Sequence, residues 1–550
     1  MEKLQIIPLG GLGEVGKNMM VFEYGRNILV VDVGMMFPES YMLGVDHIIP
    51  DYDYLRDKKD RIRGVVITHG HMDHIGALPY FLREFKAPVY GTKLTRGLIE
   101  VNLNSALRKE IPLRTIEPGD VINLGPFTVE PYHTAHSIPD AIGLGITTPV
   151  GLAVHSGDFK LDHTPVDGWP TDIGKLAEFN QRGVMVLLAD STNSDHPGTT
   201  PSERTLTQAL ADVFRNAKGR VIFATFASLI SRLQQAMEVA ERFGRKVAIT
   251  GSSMVKNVKM AQRLGYLDVS DDLILTLQEI NRLPPHQVTI LATGSQGEPR
   301  SIMGRLAMGR HPSLRITHGD TVVLSSHTIP GNEEMVHAVI NRLFQRGAHV
   351  VYHPVQPVHV SGHASQEEQR TLLNIVKPKF FVPIHGELRH LHHHATLAQQ
   401  VGIPRDNIAV VENGHVLRFD QDSMEIGERL PGGYVFVDGV LMGESVDKSI
   451  IDERASLATA GVCSVVFRYD QKKGRLVGEP IIDSRGFANF AAVKDLWQTA
   501  RERVSSTVNG VQPGTPIDRV EGAVEKTLSN FFYQEARSRP DMLVTALPEG

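Results

Sequence analysis

Near the start of the chain, MMVFEYGRNILVVDV alternates apolar and polar positions around Phe22 and Tyr24. It breaks at Gly25-Arg26-Asn27 and resumes as the β-branched run Ile28 to Val33. That pattern predicts a strand, a tight turn and a second strand. Farther on, GVVITHGHMDHIGALPYFL predicts a buried strand over Val65 to Thr68, a polar turn and an apolar helix. Beyond residue 200 the two periods take turns: helix 202–217, strand 220–225, helix 228–243, strand 246–250, then strands 288–293 and 321–326. Strands spaced by helices point to a parallel sheet. VVENGHVLRF, residues 410–419, predicts a hairpin about Asn413-Gly414. Glycine and charge then increase from about 430 to 455, which predicts a connector. The remainder reads as strands 461–468 and 475–482, helices 490–508 and 517–534, and a last strand over 541–546. Val493, Leu496, Trp497, Ala500 and Val504 recur at helical spacing, as do Val520, Val524, Leu528 and Phe531. So small a domain has little core of its own, so these two apolar faces are expected to need a partner, by docking or self-association.

The stretch GGLGEVGKN, Gly10 to Asn18, overlaps two phosphate-binding fingerprints, one complete and one lacking only its final hydroxyl. Both work only when a helix follows, because phosphate sits on free N–H groups at a helix N-terminus. Here a strand follows. The glycines are therefore expected to let the first strand turn back beside the next, and Asp32, which mimics a ribose-binding acid, follows a hairpin.

Composition changes the picture mainly by exclusion. At 550 residues, 41% hydrophobic and 22% charged, the chain has the make-up of a soluble globular protein, with length for roughly three domains. A single cysteine, Cys463, rules out an intrachain disulfide. It suits a reducing compartment. MEKLQIIPLGG has too short an apolar stretch for a signal peptide and no 18-residue apolar run follows, so a cytoplasmic protein with no membrane association is expected. The net charge of −5 gives no bulk attraction to nucleic acid, so any such function needs a local cationic site. The 24 histidines are plentiful, and their positions carry the chemistry.

His69, His71, Asp73 and His74 fall within six residues on a turn between a strand and a helix. Strand ends that feed helices are where open α/β folds place their sites. Imidazole and carboxylate together suit zinc or manganese, and four such ligands this close suggest two ions. Paired cations acidify a shared water and neutralise charge that develops on a phosphoryl or acyl oxygen, so the turn reads as hydrolytic machinery.

This H-x-H-x-D-H stretch resembles the signature of the metallo-β-lactamase superfamily. The resemblance implies further ligands at later strand ends, and PYHTAHSIPD, VHSGDFK and FFVPIHGE supply His136, Asp158 and His385. His136 is chosen over His133 because it alone matches the family's HSIPD; His133 and His155 are expected to be structural or to support the ligands. By the same resemblance His69, His71 and His136 hold one ion, Asp73, His74 and His385 the other, and Asp158 bridges them. The glycines at 10 to 16 then belong to the first hairpin, near the metal face.

Between Asp190 and His385 lie 195 residues of separation, room for an inserted domain. An insertion there resembles the β-CASP nucleases, whose motifs A, B and C match Asp190 in LLADSTN, His363 in HVSGHAS and His385. A histidine at motif C is typical of the RNA-processing members. TGSQGE, SSHTIPGNE, HVSGHASQEE and PIHGE look like the ribonuclease J family, and the resemblance runs over essentially the whole chain. It implies a metallo-β-lactamase αββα sandwich with an inserted β-CASP α/β domain and a small α+β C-terminal domain. The expected bounds are 1–200 and 353–440 for the sandwich, 201–352 for the insertion, a linker at 441–455 and a C-terminal domain at 456–550.

Two divalent ions are implied, zinc foremost, with manganese or magnesium as alternatives. So is 5′-to-3′ exonuclease and endonuclease activity on single-stranded RNA, with Asp73, Asp190 and His363 catalytic. A 5′-monophosphate end needs hydroxyls, backbone N–H groups and imidazoles on turns. FAS (Phe226, Ala227, Ser228) and HVSGH (His359, Val360, Ser361, Gly362, His363) offer these, and both align with substrate-contacting segments of the family. A homodimer or homotetramer and an RNA-decay complex are the expected partners. Competing readings are plain: Asp190 can cap a turn with Ser191 and Thr192, and Ser228 can be an ordinary helix N-cap. The cluster His390, His392, His393 and His394 spreads round a helix and is expected mostly at the surface, while His47, His311 and His318 receive no role.

Overall fold

A computed structural model describes residues 2–488 and 494–549. The chain divides into two compact units, residues up to 39 with 47–435, and 40–46 with 436 onward.

In the larger unit two sheets stack face to face. One has eight strands, in the order Met424–Arg429, His415–Phe419, Leu4–Gly10, Met19–Tyr24, Asn27–Val31, Ile62–Val66, Val89–Gly91 and Leu113–Thr115. The other has six, from Phe380–Ile384 and Val184–Asp190 through Leu152–His155, Ile142–Thr147 and Phe127–His133 to Ile122–Leu124. Leu4, Ile6, Phe22, Leu29 and Val66 of the first meet Val129, Leu144, Val186, Leu188 and Val382 of the second in one buried cluster. Each such side chain stabilises the fold by about 1.5–3 kcal/mol. Strand Val184–Asp190 is apolar up to its last residue because both faces are covered: Leu187 and Ala189 turn away from the sandwich toward helices Ile173–Arg182, Gln366–Val376 and Leu388–Gln400. Helix Lys93–Asn102 packs on the outer edge of the first sheet. The result is helix, sheet, sheet, helix.

The expected first hairpin is present: Met19–Tyr24 pairs antiparallel with both Leu4–Gly10 and Asn27–Val31. No helix follows the glycines; Gly11, Gly13 and Gly16 take positive φ in the loop between the first strands. The hairpin expected about Asn413-Gly414 forms elsewhere. His415–Phe419 turns into Met424–Arg429 through Asp420, whose carboxylate accepts from the N–H groups of Asp422 and Ser423. Asn413 is taken by a long-range partner: it accepts from Leu12 N and donates to Glu14.

Residues 200–352 build a six-stranded sheet, entirely parallel, from Val221–Ala224, Lys246–Ile249, Ile274–Leu275, Val288–Ala292, Thr321–Leu324 and His349–Tyr352. Its helices include Thr205–Asn216 and Ile230–Arg242, close to the expected spans. Ser228 lies two residues before the second of these, whose N-cap is Leu229 and has no side-chain cap bond. The N-cap reading of Ser228 is therefore not realised.

In the smaller unit Val462–Asp470 lies between Arg475–Arg485 and Asp541–Pro548. Helices Lys494–Asn509 and Ile517–Ala536 cover one face of this sheet, where Trp497, Ala500, Val504, Val520, Val524, Leu528 and Phe531 are buried with Val465 and Phe467. This corrects the expectation that the helices need an outside partner: the unit's own sheet covers them. Val493 lies outside the described residues. Most of the segment expected as a linker is not irregular, since helix Lys448–Ala460 occupies 448–455.

Candidate metal centre

Five strand ends converge on the site. His69 follows Ile62–Val66, His136 follows Phe127–His133, Asp158 follows Leu152–His155, Asp190 ends Val184–Asp190 and His385 follows Phe380–Ile384. The parallel register that pairs Asp190 with Ile384 brings Asp190 beside His385, and Ser191 N donates to the His385 carbonyl. The HGHMDH turn is held by the backbone after Asn27–Val31 and by Asn18, just before Met19–Tyr24. Val33 N, Asn18 N and Met35 N donate to the carbonyls of His74, Asp73 and Met72 at 2.8–3.0 Å. Gly34 is required there, because a Cβ would lie 1.6 Å from the Asp73 carbonyl oxygen.

The ligand atoms fall into two groups that share Asp158: His69, His71 and His136 on one side, Asp73, His74 and His385 on the other, each group within 4.8 Å. His71 Nδ1 lies 3.1 Å from both His69 Nε2 and His136 Nε2. Asp158 Oδ2 lies 3.5 Å from His69 Nε2 and 3.3 Å from His74 Nε2, while its Oδ1 is 3.6 Å from His385 Nε2.

In four of the rings the far nitrogen has a partner that decides what the near nitrogen presents. His136 Nδ1 donates to the Gly362 carbonyl at 2.7 Å. His74 Nδ1 faces the buried carboxylate of Asp32 at 2.7 Å. Thr68 Oγ1 donates to Asp32, so it accepts from His69 Nδ1. Thr192 Oγ1 donates to Asp190 Oδ1 and so accepts from His385 Nδ1, each at 2.7 Å. With these protons outward, lone pairs point into the centre, the arrangement a cation needs.

The protein's own charges agree. Burial pushes His71 down to about 4 and holds His69 and His136 well below the ordinary imidazole range, so all three are neutral. For His385 burial works downward, but Asp158 and Asp73 outweigh it and raise it to about 9. His74 is raised well above its usual value for the same reason, with Asp158, Asp32 and Asp73 against burial. The negative potential that would hold protons on these two rings is what a cation takes over. His385 Nε2 is buried with no hydrogen-bond partner. The donor set fits divalent ions.

Beside the ligands, His363 Nδ1 lies 2.7 Å from Asp190 Oδ2. Asp190 Oδ1 meanwhile accepts from Thr192 N, as the turn-capping reading expects. Burial lowers His363, and the Asp190 carboxylate outweighs it, leaving the ring above its usual value. The side chains of Asp73 and His363 keep 31% and 20% exposure while those of His74, Asp158 and His385 stay at 4% or below, so the site opens on the Asp73–His363 side.

HVSGH runs along this opening. Ser361 Oγ accepts from Asn193 Nδ2 and from His363 N, which leaves its own proton for an outside acceptor. At Gly362 a Cβ would stand 2.6 Å from His136, so only glycine lets the loop approach that ring. The carbonyl of Ala227 in FAS is tied to Asn257. His133 stacks on Trp169 with ring centroids 4.0 Å apart, and His155 accepts from Gly157 N; neither is in a ligand group. The 390–394 cluster divides: His392 and His393 are exposed, but His390 caps its own helix and His394 bonds Ser191, both buried.

Sequence reasoning missed Asp32, Thr68 and Thr192. Only Asp32 leaves a trace, a carboxylate inside the run Ile28 to Val33, where it mimics the acid of a nucleotide motif. It takes φ +61°, accepts Thr68 N at 2.8 Å and steadies His74.

Comparison with known proteins agrees with this architecture. Residues 12–211 match the metallo-beta-lactamase superfamily, 218–343 the beta-CASP domain of ribonuclease J, 347–409 the Zn-dependent metallo-hydrolase RNA specificity domain, and 449–548 the ribonuclease J C-terminal domain. Ribonuclease J of Thermus thermophilus is 43% identical over 100% of this chain and 96% of its own length. Ribonuclease J of Synechocystis is 40% identical over 99% and 86%, and ribonuclease J2 of Bacillus subtilis 37% over 100% and 99%. A solved structure from Enterococcus faecalis, titled as a protein of unknown function, shares the fold at a TM-score of 0.51 and 14% identity, covering 77% of this chain and 100% of that one. No described helix is long and apolar enough to cross a membrane. From sandwich to C-terminal domain, the chain belongs to the ribonuclease J family of metal-dependent, RNA-cleaving hydrolases.

Proposed function

We propose that this ribonuclease degrades single-stranded RNA 5′ to 3′ from a monophosphate end, also cuts internally, and acts in cytoplasmic RNA maturation and decay, including ribosomal RNA processing. The observation that carries this reading is the pair of ligand groups joined through Asp158, with His363 and Ser361 lining their open side. His69, His71 and His136 would hold one ion and Asp73, His74 and His385 the other, with Asp158 between them. Zinc is the ion we favour, because three neutral imidazoles with a shared carboxylate suit it. Bound, the ions supply Lewis acidity toward phosphate and an acidified water.

The chain's own groups do the rest. Hydrolysis joins a water oxygen to phosphorus and releases a ribose oxygen that must gain a proton. Asp190 holds one proton of His363 at Nδ1 and favours the charged ring, whose second proton, on Nε2, can contact a phosphate oxygen or pass to the leaving ribose oxygen. Phe226, Ala227, Ser228, His359, Val360, Ser361 and Gly362 would hold the RNA next to the cut. Ser361, with its proton unspent inside the protein, suits a terminal phosphate. We also propose a homodimer or homotetramer able to join an RNA-decay complex: the outer face of the C-terminal sheet leaves Ile481 68% and Leu543 59% exposed.

The test uses labelled single-stranded RNA with 5′-monophosphate or 5′-triphosphate ends, the matching DNA and a small ester, each with and without chelator. Chelator-sensitive release from the 5′ end of RNA, faster for the monophosphate, is expected. Equal decay of both RNAs from the 5′ end overturns the terminal pocket, and preference for DNA or ester overturns the substrate.

A further inference from the structure

Helix Ile230–Arg242 begins just after Phe226-Ala227-Ser228, and its first turn carries the fully buried Arg232. Every guanidinium donor of this residue is engaged. Nε donates to Glu203 Oε1 at 3.0 Å, and Nη2 to the same oxygen at 2.6 Å and to the Val360 carbonyl at 3.2 Å. Nη1 donates to the Ser325 carbonyl at 3.2 Å and meets His359 Nδ1 at 2.7 Å. Five N–H groups find five acceptor contacts. Arg232 thereby ties the helix after FAS to the strand end at Ser325 and to the first residues of HVSGH.

The contact with His359 has only one possible polarity. A guanidinium does not surrender its proton, so Arg232 donates and His359 Nδ1 accepts. A neutral imidazole whose Nδ1 accepts must carry its proton on Nε2. Burial and the Arg232 charge both push His359 well below the ordinary imidazole range, so the ring is neutral. Nε2 has no hydrogen-bond partner among the described residues. The ring stands 6.0 Å from His327 and 6.3 Å from His353, centroid to centroid. These two follow the adjacent parallel strands Thr321–Leu324 and His349–Tyr352, at the carboxyl ends where α/β sheets receive ligands.

We propose that Arg232 is a positioning residue for RNA recognition: by occupying Nδ1 it locks His359 as the Nε2–H tautomer, a neutral donor for a 5′-phosphate oxygen, on an imidazole wall completed by His327 and His353. Phosphate oxygens only accept, so the other tautomer would present a repelling lone pair. The proposal rests on the reading of HVSGH as a contact for the 5′ end.

Two substitutions at one position separate this role from packing. H359N keeps an acceptor near Nδ1 for Arg232 but has no distal donor; H359Q places an amide N–H near Nε2 but gives up the Arg232 contact. The KM for 5′-monophosphate RNA should be about tenfold higher in H359N than in H359Q, the size expected for one hydrogen bond to a charged group. R232K, which keeps the charge but loses the fork, should raise the same KM, and the His359 pair decides the matter should that variant not fold. If H359N binds as well as or better than H359Q, the Arg232–His359 contact serves packing and the proposal falls. Nitrogen-15 spectra of full-length, histidine-labelled protein give an independent readout, with the His359 signals identified by their loss in H359N. They should show an unprotonated Nδ1 and a protonated Nε2; a proton on Nδ1 overturns the lock. Wild-type protein without any 5′-monophosphate preference would overturn the reading of the terminal pocket, and the tautomer would still be settled by the spectra.

Discussion

Two groups of imidazoles lie on this protein's open face, and they are built with opposite polarity. At the metal centre the Nδ1 atoms of His74, His136 and His385 meet a carboxylate, a carbonyl and a hydroxyl. Each accepts a proton outward, so Nε2 lone pairs converge on the space shared with Asp158. At the second group His359 Nδ1 meets the guanidinium of Arg232, which can only donate. The same ring then presents a proton where the others present a lone pair. One residue type makes a cation site in the first case and an anion-facing donor in the second, and the atom bonded to Nδ1 decides which.

The strongest way to break this contrast is to remove a ligand. Asp73→Ala or His74→Ala should release one ion and lower RNA cleavage by about three orders of magnitude, since the Lewis acid it supplied is lost. The fold should persist, because the sandwich core lies elsewhere. Metal analysis with cleavage assays checks both, and full activity in either variant would defeat the two-ion reading.

A milder attack leaves the ligands in place and changes only what holds them. Asp32→Asn should cost about 10- to 100-fold in metal affinity or activity, the usual effect of losing a carboxylate behind a ligating histidine. Metal titration followed by kinetics measures it. Unchanged affinity would mean that Asp32 merely ties Thr68 to the strand.

On the anion-facing side, Ser361→Ala and Ser228→Ala should each shrink the monophosphate preference several-fold, in line with one hydrogen bond apiece. Competition between differently labelled 5′ ends reads the ratio directly. A ratio that survives both changes removes these hydroxyls from the pocket.

The smallest effect on chemistry is expected far from both groups. Ile481→Glu with Leu543→Glu on the exposed sheet face should lower the mass per particle in light scattering while leaving bound metal unchanged. An unaltered mass would place any assembly surface elsewhere.

Much of this was legible in the residues themselves, wherever the signal is local. The HGHMDH cluster announces itself because four ligands within six residues are already near one another in space. The inserted parallel sheet shows because burial on both faces makes its strands apolar runs between helices. The hairpin about Asn413 was misplaced because a turn propensity is weak beside two hydrogen bonds to Leu12 and Glu14, some 400 residues away. The C-terminal helices looked unpartnered because a helical period shows that a face is apolar and not what covers it.

What only the tertiary structure decided is the direction in which each imidazole faces. Asp32 meets His74 across 42 residues, Arg232 meets His359 across 127 and the Gly362 carbonyl meets His136 across 226. Proton placement on a ring depends on one atom within about 3 Å. No periodicity or spacing encodes such a neighbour, because strand register and sheet packing bring it there. The sequence alone marked candidate metal ligands, the HGHMDH cluster by its local spacing and His136, Asp158 and His385 by family resemblance. Whether a given histidine offers a lone pair or a proton was settled by long-range hydrogen bonds, which form only once the fold is complete.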